Sequence, residues 1–562
     1  MNIMNSNSFW LKQSEYLVWK SKPQLSFKKK LPYPESCIDV YYNLIERHLK
    51  KKIGLYFIDL DKKLSFLNIK KIDKLVNTFS LNFLEKKIIK NDKVMLHVSS
   101  SLESAISMLS CAQLGIFFSV VFEELSLVAI KQRIFLFNPR VFITKSKNIY
   151  NSLKRDKEIF CEVYLFNFFF KKKKYKKISN ALVNSKDNFF TLFTSGTTGL
   201  PKGIVHGYTG YLVYSNYTCR KQFGLKKRDT VFTASDAGWI NGHTYALFGP
   251  LSIGCSSVLI EKPSLLTDEL LMKKILKLGV NVLYLPVTLI RIIKSVYEKK
   301  KIKYKTLRTL GSMGEPLAEE VGKWYANKFS LQNKAIVNTY FQTETGGIIC
   351  SPRYSETSKK VPHGSVGKPC SKFIILDTLS INKKKEIIIK TYWPGCMKGI
   401  LNGKKIWSKY WNTKGHFKMF DLGSLKKSNL FIHGRSDDVI NIRGHRIGSA
   451  EIESIILKNS FIIEACSVAV LDYLEGNSIY LFLVAKKKND QKIKEDLIAN
   501  FGTFAIPKKI IYCRALPKTR SGKIVRRLLR DISCRKENKN FGDLSTLVDK
   551  SVIKQIINEL KK

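Results

Sequence analysis

Strand-like and helix-like segments alternate through the first 350 or so residues of this chain. That alternation restricts the fold more than any single motif does. Apolar runs such as KVMLHVS, SVVF, VFIT, VYLF, TVFTAS and SSVLIE are separated by helix-patterned segments such as LESAISMLSCAQLG and LTDELLMKKILKLG. Short buried runs that alternate with helices build parallel sheets, because a parallel crossover needs a helix to carry the chain back. The expected class is α/β. After about residue 350 the texture changes to short strands and turns, as in KFIILD, KEIIIKTYWPG and GHFKMFDLGSLKKSNLFIHG. The expected organisation is a large N-terminal domain over 1–434, of mostly parallel sheets flanked by helices. It includes a small β-rich subdomain over about 350–434. A smaller α+β domain is expected over 435–562, long enough to fold as its own unit.

The chain has 562 residues, too many for one hydrophobic core, and is 44% apolar and 12% aromatic, enough to bury a substantial interior. No apolar run reaches the ~18–20 residues that span a bilayer. The start, MNIMNSNSFWLKQSEY, lacks a basic segment followed by an apolar core, so no secretory signal is expected. The eleven cysteines are scattered from Cys37 to Cys534 without a C-x-x-C pair. They read as mostly buried thiols of a reducing, cytoplasmic setting and not as a zinc site or disulfide framework. A formal net charge of +52 has two readings. One is a nucleic-acid binder. The other is a drift toward Lys, Asn, Ile and Phe that spreads charge over the whole chain. The second is favoured, because the lysine tracts are dispersed and the aromatic spacing of an RNA-recognition sheet is absent. The tract Lys171–Lys177 reads as a solvated loop.

The stretch TLFTSGTTGLPKG, Thr191–Gly203, concentrates hydroxyls, glycines and one lysine. It is not a Walker loop: Pro201 stands where that motif needs glycine, and Gly203 follows Lys202. Its chemistry still suits an anion. Gly196 and Gly199 let backbone N–H groups face a phosphate, Thr194, Ser195, Thr197 and Thr198 add hydroxyls, and Lys202 adds a point charge.

This loop resembles the signature loop of the adenylate-forming superfamily, which includes acyl-CoA synthetases, adenylation domains of peptide synthetases and luciferases. Five further matches follow in order: TASDAGWINGHTYALFGPL (Thr233–Leu251), GSMGEP (Gly311–Pro316), YFQTETGG (Tyr340–Gly347), GRSDDVINIRGHRIGSAEIES (Gly434–Ser454) and PKTRSGKIVRRLLR (Pro517–Arg530). The last two resemble the short-chain acyl-CoA synthetase branch that acts on acetate and propionate. The resemblance covers nearly the whole chain. It implies an enzyme using ATP, Mg²⁺ and coenzyme A, in which a carboxylate attacks the α-phosphate of ATP and the thiol of CoA then displaces AMP. It also implies a C-terminal domain that moves between the two half-reactions.

The resemblance carries roles to individual residues. The loop from Thr194 to Lys202, with Ser195, Gly196, Thr197, Thr198 and Gly199, would hold the β- and γ-phosphates. Gly314, Glu315 and Pro316 would line the adenine and Tyr340 would stack on it, with Phe341 and Gln342 beside it. Thr343 would touch the α-phosphate and Glu344 would coordinate Mg²⁺. Asp421 would bind the ribose hydroxyls; it lies in Phe-Asp-Leu, where the superfamily usually has Gly-Asp-Gly. Arg435 would contact ribose or phosphate, Arg446 phosphate, and Asp437 would be the hinge. Lys523 would reach the acyl carboxylate and the α-phosphate during adenylation. Trp239, Ile240, Asn241, Met313 and Phe341 would form the acyl pocket. Phe341 stands where acetate-specific relatives usually have tryptophan, and Asn241 and Met313 where threonine and valine are expected. Acetate is favoured and propionate is the alternative.

The CoA half matches less well. Tyr150, Leu153 and Ile498 stand where relatives carry arginines for the 3′-phosphate, and Glu123 and Glu124 replace a glycine pair. Arg443 stands where a serine is usual and could itself supply a phosphate contact. Lysines around Lys145, Lys147 and Lys154 offer a second route to that contact. Two other readings stay open: an adenylating enzyme that hands its acyl group to a different acceptor, for which no carrier domain is seen after Lys562, and a basic nucleic-acid binder without catalysis. The small-molecule reading is favoured, with no membrane partner; oligomeric state is not legible.

Overall fold

The computed structural model describes the chain except residues 1–2, 22, 25–31, 172–175, 195–200, 316, 363, 382–383, 436–438, 443–444, 473–475, 502, 520–521, 535–543, 545–546 and 562. Among the described residues, two seven-stranded sheets form the bulk of the N-terminal part. In the first, the strands run in space Gly399–Ile400, Lys202–Gly207, Asn188–Thr194, Phe117–Val121, Lys93–His97, Val141–Thr144, Glu162–Leu165. The run from Asn188–Thr194 to Glu162–Leu165 is parallel, and Lys202–Gly207 folds back antiparallel on Asn188–Thr194. In the second, Val337–Asn338, Thr309–Met313, Val280–Pro286, Thr230–Thr233, Ser256–Ile260 and Gly54–Ile58 are parallel, and Leu64–Asn68 closes the edge as a hairpin.

The inner strands are continuous apolar runs because both faces are covered; every residue of Phe117–Val121 is buried. The covering helices are correspondingly buried all round. Helix Leu102–Leu114 is buried from Ser104 to Leu114. Its start is fixed by a capping box between Ser101 and Ser104, and its end by Gly115 at φ 70°. Helix Tyr208–Lys221 is buried from Tyr208 to Cys219. It packs on strand Lys202–Gly207 of the first sheet and on the helical segment Gly242–Ile253, which in turn packs on strands Thr230–Thr233 and Ser256–Ile260 of the second. These helices therefore lie between the two sheets, and one apolar cluster joins Leu55 and Phe57, Val94 and Leu96, Leu212 and Phe248.

A third, antiparallel sheet is built from Leu376–Ile381, Lys384–Ile389, Phe417–Lys426 and Asn429–Arg435. The smaller C-terminal part has a sheet of Ile462–Asp472, Gly476–Ala485 and Lys509–Tyr512, packed by helices such as Ser449–Ile456 and Arg526–Ser533 around its own apolar clusters. Residue 434, the expected domain boundary, falls in the last turn of pairing of strand Asn429–Arg435.

Two element readings needed correction. KFIILD does not start a strand; the strand begins at Leu376, because Ser371 accepts the N–H groups of Phe373 and Ile374 and closes a turn. In LTDELLMKKILKLG the α-helix starts at Glu269, because Asp268 caps the N–H groups of Leu270 and Leu271. All eleven cysteines are free thiols. Among the described residues no helix is long and apolar enough to cross a membrane.

Candidate active site

The C-terminal ends of the parallel strands of both sheets meet. Ser100, after strand Lys93–His97, donates its hydroxyl to the Ser235 carbonyl (2.8 Å), after strand Thr230–Thr233. The Phe122 and Trp239 rings, one from each sheet, meet edge to face at 5.6 Å. Crevices outside the carboxyl ends of strands are where open α/β sheets bind ligands.

Thr194 ends its strand directly opposite Lys202, so the two described ends of the signature stretch are paired. Ser195, Gly196, Thr197, Thr198 and Gly199 lie outside the described residues. In the second sheet, strand Thr309–Met313 releases Gly314 at φ +90°, with nothing within 4 Å of the place a Cβ would occupy. This is an open backbone cradle of the kind a flat ring can approach. Glu315 is held by the Arg291 guanidinium at 3.0 Å; Pro316 lies outside the described residues.

The next strand end brings Tyr340 and Gln342 onto Asp421. The Tyr340 hydroxyl donates to Asp421 Oδ2 (2.7 Å), as does the Gln342 amide (2.6 Å), which also donates to the Met419 carbonyl (2.7 Å). Asp421 is buried and lies opposite Arg435 in the strand register. Phe420, just before it, has φ +54°. The left-handed backbone that glycine adopts freely is therefore present here with a phenylalanine in it.

The turn Thr343–Thr345 is clamped from separate segments. The His206 Nε2–H donates to the Thr343 carbonyl (2.8 Å), the Met397 N–H to the Glu344 carbonyl (2.8 Å) and the Trp393 indole N–H to the Thr345 carbonyl (3.0 Å). The Tyr410 hydroxyl donates to Glu344 Oε1 (2.8 Å). Among the described residues no group of three or more His, Cys, Asp or Glu gathers to cage a metal. A cation here would take Glu344 and complete its sphere from phosphate oxygens and water, which is how Mg²⁺ is usually bound beside nucleotides.

Of the expected acyl-pocket residues, Asn241, Met313 and Phe341 stand with two tyrosines that sequence reasoning missed. Tyr284 is fully buried, with its hydroxyl 2.7 Å from Thr339 Oγ1 and 3.3 Å from Asn241 Oδ1. The Tyr245 ring stands 5.7 Å from both Tyr284 and Phe341. Met313 is buried in the same apolar cluster, and Ile240 is buried in the cluster between the two large sheets. The only available signal for Tyr284 was its position at the end of strand Val280–Pro286. Two buried histidines stand behind the pocket. His243 Nδ1 is 3.2 Å from the Trp239 carbonyl and its ring stacks on Phe118 at 5.7 Å; Phe190 lies between His243 and His206. Burial pushes the His206 imidazole down to about 4 and His243 down to about 3, so both are neutral and each holds its carbonyl as an N–H donor.

The C-terminal part reaches the same place. Gly522 has φ +78°, and a Cβ on it would strike the side chain of Thr288, at the start of helix Val287–Val296. Lys523 follows on the same turn; its side chain is exposed and its carbonyl accepts from the Thr519 N–H (2.8 Å). Arg526 Nη2 meets Glu453 Oε2 at 2.5 Å, and burial holds the Glu453 carboxyl above its ordinary range despite that guanidinium. Arg435 and Arg446 sit in strands whose side chains at those positions are outside the description, as are Asp437 and Arg443. The residues considered for CoA are divided. Leu153 is core, Ile498 is exposed on helix Asp490–Phe501, and Lys145 is paired to Glu261 (3.0 Å) and Glu103 (3.7 Å). Glu123 accepts from the Ser99 hydroxyl at 2.9 Å.

The pattern of the family described as "AMP-binding enzyme" matches residues 51–401, and that of "AMP-binding enzyme C-terminal domain" matches 451–523. An acetyl-coenzyme A synthetase of Leptospira biflexa is 32% identical, covering 100% of this chain and 95% of its own length. One of Emericella nidulans is 30% identical, covering 93% of this chain and 85% of its own length. In three dimensions the chain is similar to an acetoacetyl-CoA synthetase from Streptomyces lividans, with TM-score 0.83, 15% identity, and 100% of this chain and 93% of that one covered. The chain belongs to the AMP-binding enzyme family.

Proposed function

We propose that the protein is an AMP-forming acetate–CoA ligase. A carboxylate oxygen of acetate attacks the α-phosphorus of ATP. The bond to the bridging oxygen breaks, and pyrophosphate leaves with the electron pair. The sulfur of CoA then attacks the acyl carbon, the carbon–oxygen bond to phosphate breaks, AMP leaves, and the thiol proton is released. The observation that carries this reading is the gathering of Tyr340, Gln342 and Asp421 beside the open Gly314 backbone, with Glu344 held on the adjoining turn. The full-length likeness to acetyl-coenzyme A synthetases supports acetate as the acid.

In this reading Asp421 holds the ribose hydroxyls, Tyr340 and Gly314–Glu315 enclose the adenine, and Thr194 through Lys202 hold the outer phosphates. Mg²⁺ on Glu344 offsets phosphate charge when bound. Thr343 and Lys523 stabilise the α-phosphate as its charge redistributes, a role of positioning and electrostatics. Arg435 and Arg446 contribute phosphate or ribose contacts, Asp437 is the hinge, and Arg443 faces CoA. Free thiols throughout suit a reducing, cytoplasmic setting.

The test is AMP release from Mg-ATP with acetate or propionate, each with and without CoA. Turnover that needs both acetate and CoA is expected; no acid-dependent turnover overturns the reading. Asp421→Asn is expected to raise KM for ATP about 10- to 100-fold with a smaller effect on kcat, the loss of one or two charge-assisted hydrogen bonds; steady-state kinetics check it. Phe341 closes the pocket against Tyr245. Phe341→Ala is expected to shift kcat/KM from acetate toward butyrate by about 10- to 200-fold per methylene accommodated, measured by competing the two acids.

A further inference from the structure

The Glu344 carboxylate has a partner to which no role has been given. Tyr410 closes the short helix Lys404–Lys409, 66 residues along the chain from Glu344, yet its hydroxyl stands 2.8 Å from Oε1. Tyr410 is buried. Its ring is flanked by Phe417 at 5.7 Å and met edge-on by Phe420 at 5.1 Å and 89°. Phe420 is the residue at φ +54°, a backbone state that disfavours bulky side chains. Glycine would remove the strain; it would also remove the edge that holds Tyr410. The same Phe420 immediately precedes Asp421, so the strained residue joins the Asp421 strand to the Glu344 turn.

We propose that Tyr410 is a positioning residue for the metal-binding carboxylate, and that Phe420 keeps Tyr410 in place. The phenol O–H occupies Oε1 and fixes the rotamer of Glu344, which leaves Oε2, without a described partner, to meet the cation. The backbone clamps on Thr343, Glu344 and Thr345 set where the turn lies, and Tyr410 sets where the carboxylate points. Holding a ligand from behind in this way typically changes metal affinity about 10- to 100-fold. The proposal rests on the reading of Glu344 as the metal-binding acid.

The experiment is a Mn²⁺ titration, followed by electron paramagnetic resonance, of the full-length chain saturated with α,β-methylene-ATP. Tyr410→Phe keeps the ring and removes only the hydroxyl. It is expected to raise the Mn²⁺ dissociation constant about tenfold, with little change in the thermal midpoint and with near-normal kcat once Mg²⁺ saturates. Phe420→Leu is expected to raise the constant in the same direction, and Phe420→Tyr, which keeps an aromatic edge, to restore it. If Tyr410→Phe binds Mn²⁺ as the wild type does while Glu344→Gln does not, Tyr410 has no positioning role. If Glu344→Gln binds as the wild type does, the reading of Glu344 falls and the proposal with it.

Discussion

Lys523→Ala is expected to lower acetate-dependent exchange of pyrophosphate into ATP by about 10²- to 10³-fold, the usual cost of removing one charge contact to a transition state. The same variant should form thioester from synthetic acetyl-adenylate and CoA at close to the wild-type rate. The split is the informative part. Lys523 is exposed on a turn whose glycine abuts Thr288. Its loss should therefore leave the thermal midpoint unchanged within a degree or two. A lysine that served only solubility would slow neither half-reaction. One that held CoA would slow the second and spare the first. Measuring the two half-reactions separately, on the same preparation, distinguishes these three outcomes.

What was legible in the sequence follows a physical line. The parallel strands showed as continuous apolar runs because burial on both faces imposes that pattern. The residues that would touch nucleotide sat in short stretches where glycines, hydroxyls and charge crowd together. The second layer was invisible. Tyr284, Tyr245, Tyr410 and His206 are ordinary aromatic residues in strands and helices. They acquire meaning only when crossovers bring them to partners 66 or 137 residues away, as with Tyr410 on Glu344 and His206 on Thr343. No local pattern marks such pairs. Phe420 teaches the converse. It stands where the superfamily usually has glycine, and the edge contact with Tyr410 and the surrounding antiparallel sheet hold it at φ +54°. Leu153 faces the core because helix Lys147–Arg155 turns that side inward, a direction that matching by position alone could not see.

Buried histidines make the fold sensitive to acid: burial pushes His48 down to about 3, and the two behind the pocket, His206 and His243, add a contribution of their own. In the unfolded chain each imidazole titrates near its ordinary value of about 6.5. In the fold His206 is held down to about 4 and His243 to about 3, in both cases chiefly by burial. Above pH 6.5 both states are neutral and the histidines contribute no pH dependence. Between 6.5 and 4 the unfolded chain takes up protons that the folded chain does not, so stability falls with falling pH. Each histidine costs about 1.4 kcal/mol per pH unit over that window, and the pair about 2.7. By pH 4.5 the loss is about 5 kcal/mol, comparable with the whole stability of many domains. Urea unfolding followed from pH 7.5 to 4.5 should show this slope, and proton resonances of the two imidazoles should stay at neutral positions throughout. His206→Gln keeps an N–H for the Thr343 carbonyl and removes the titrating group; it should remove about half of the pair's contribution and leave the share of His48 in place. If the His206→Gln, His243→Gln double variant does not lose about 2.7 kcal/mol per pH unit of slope, the acid sensitivity belongs to other groups, His48 among them.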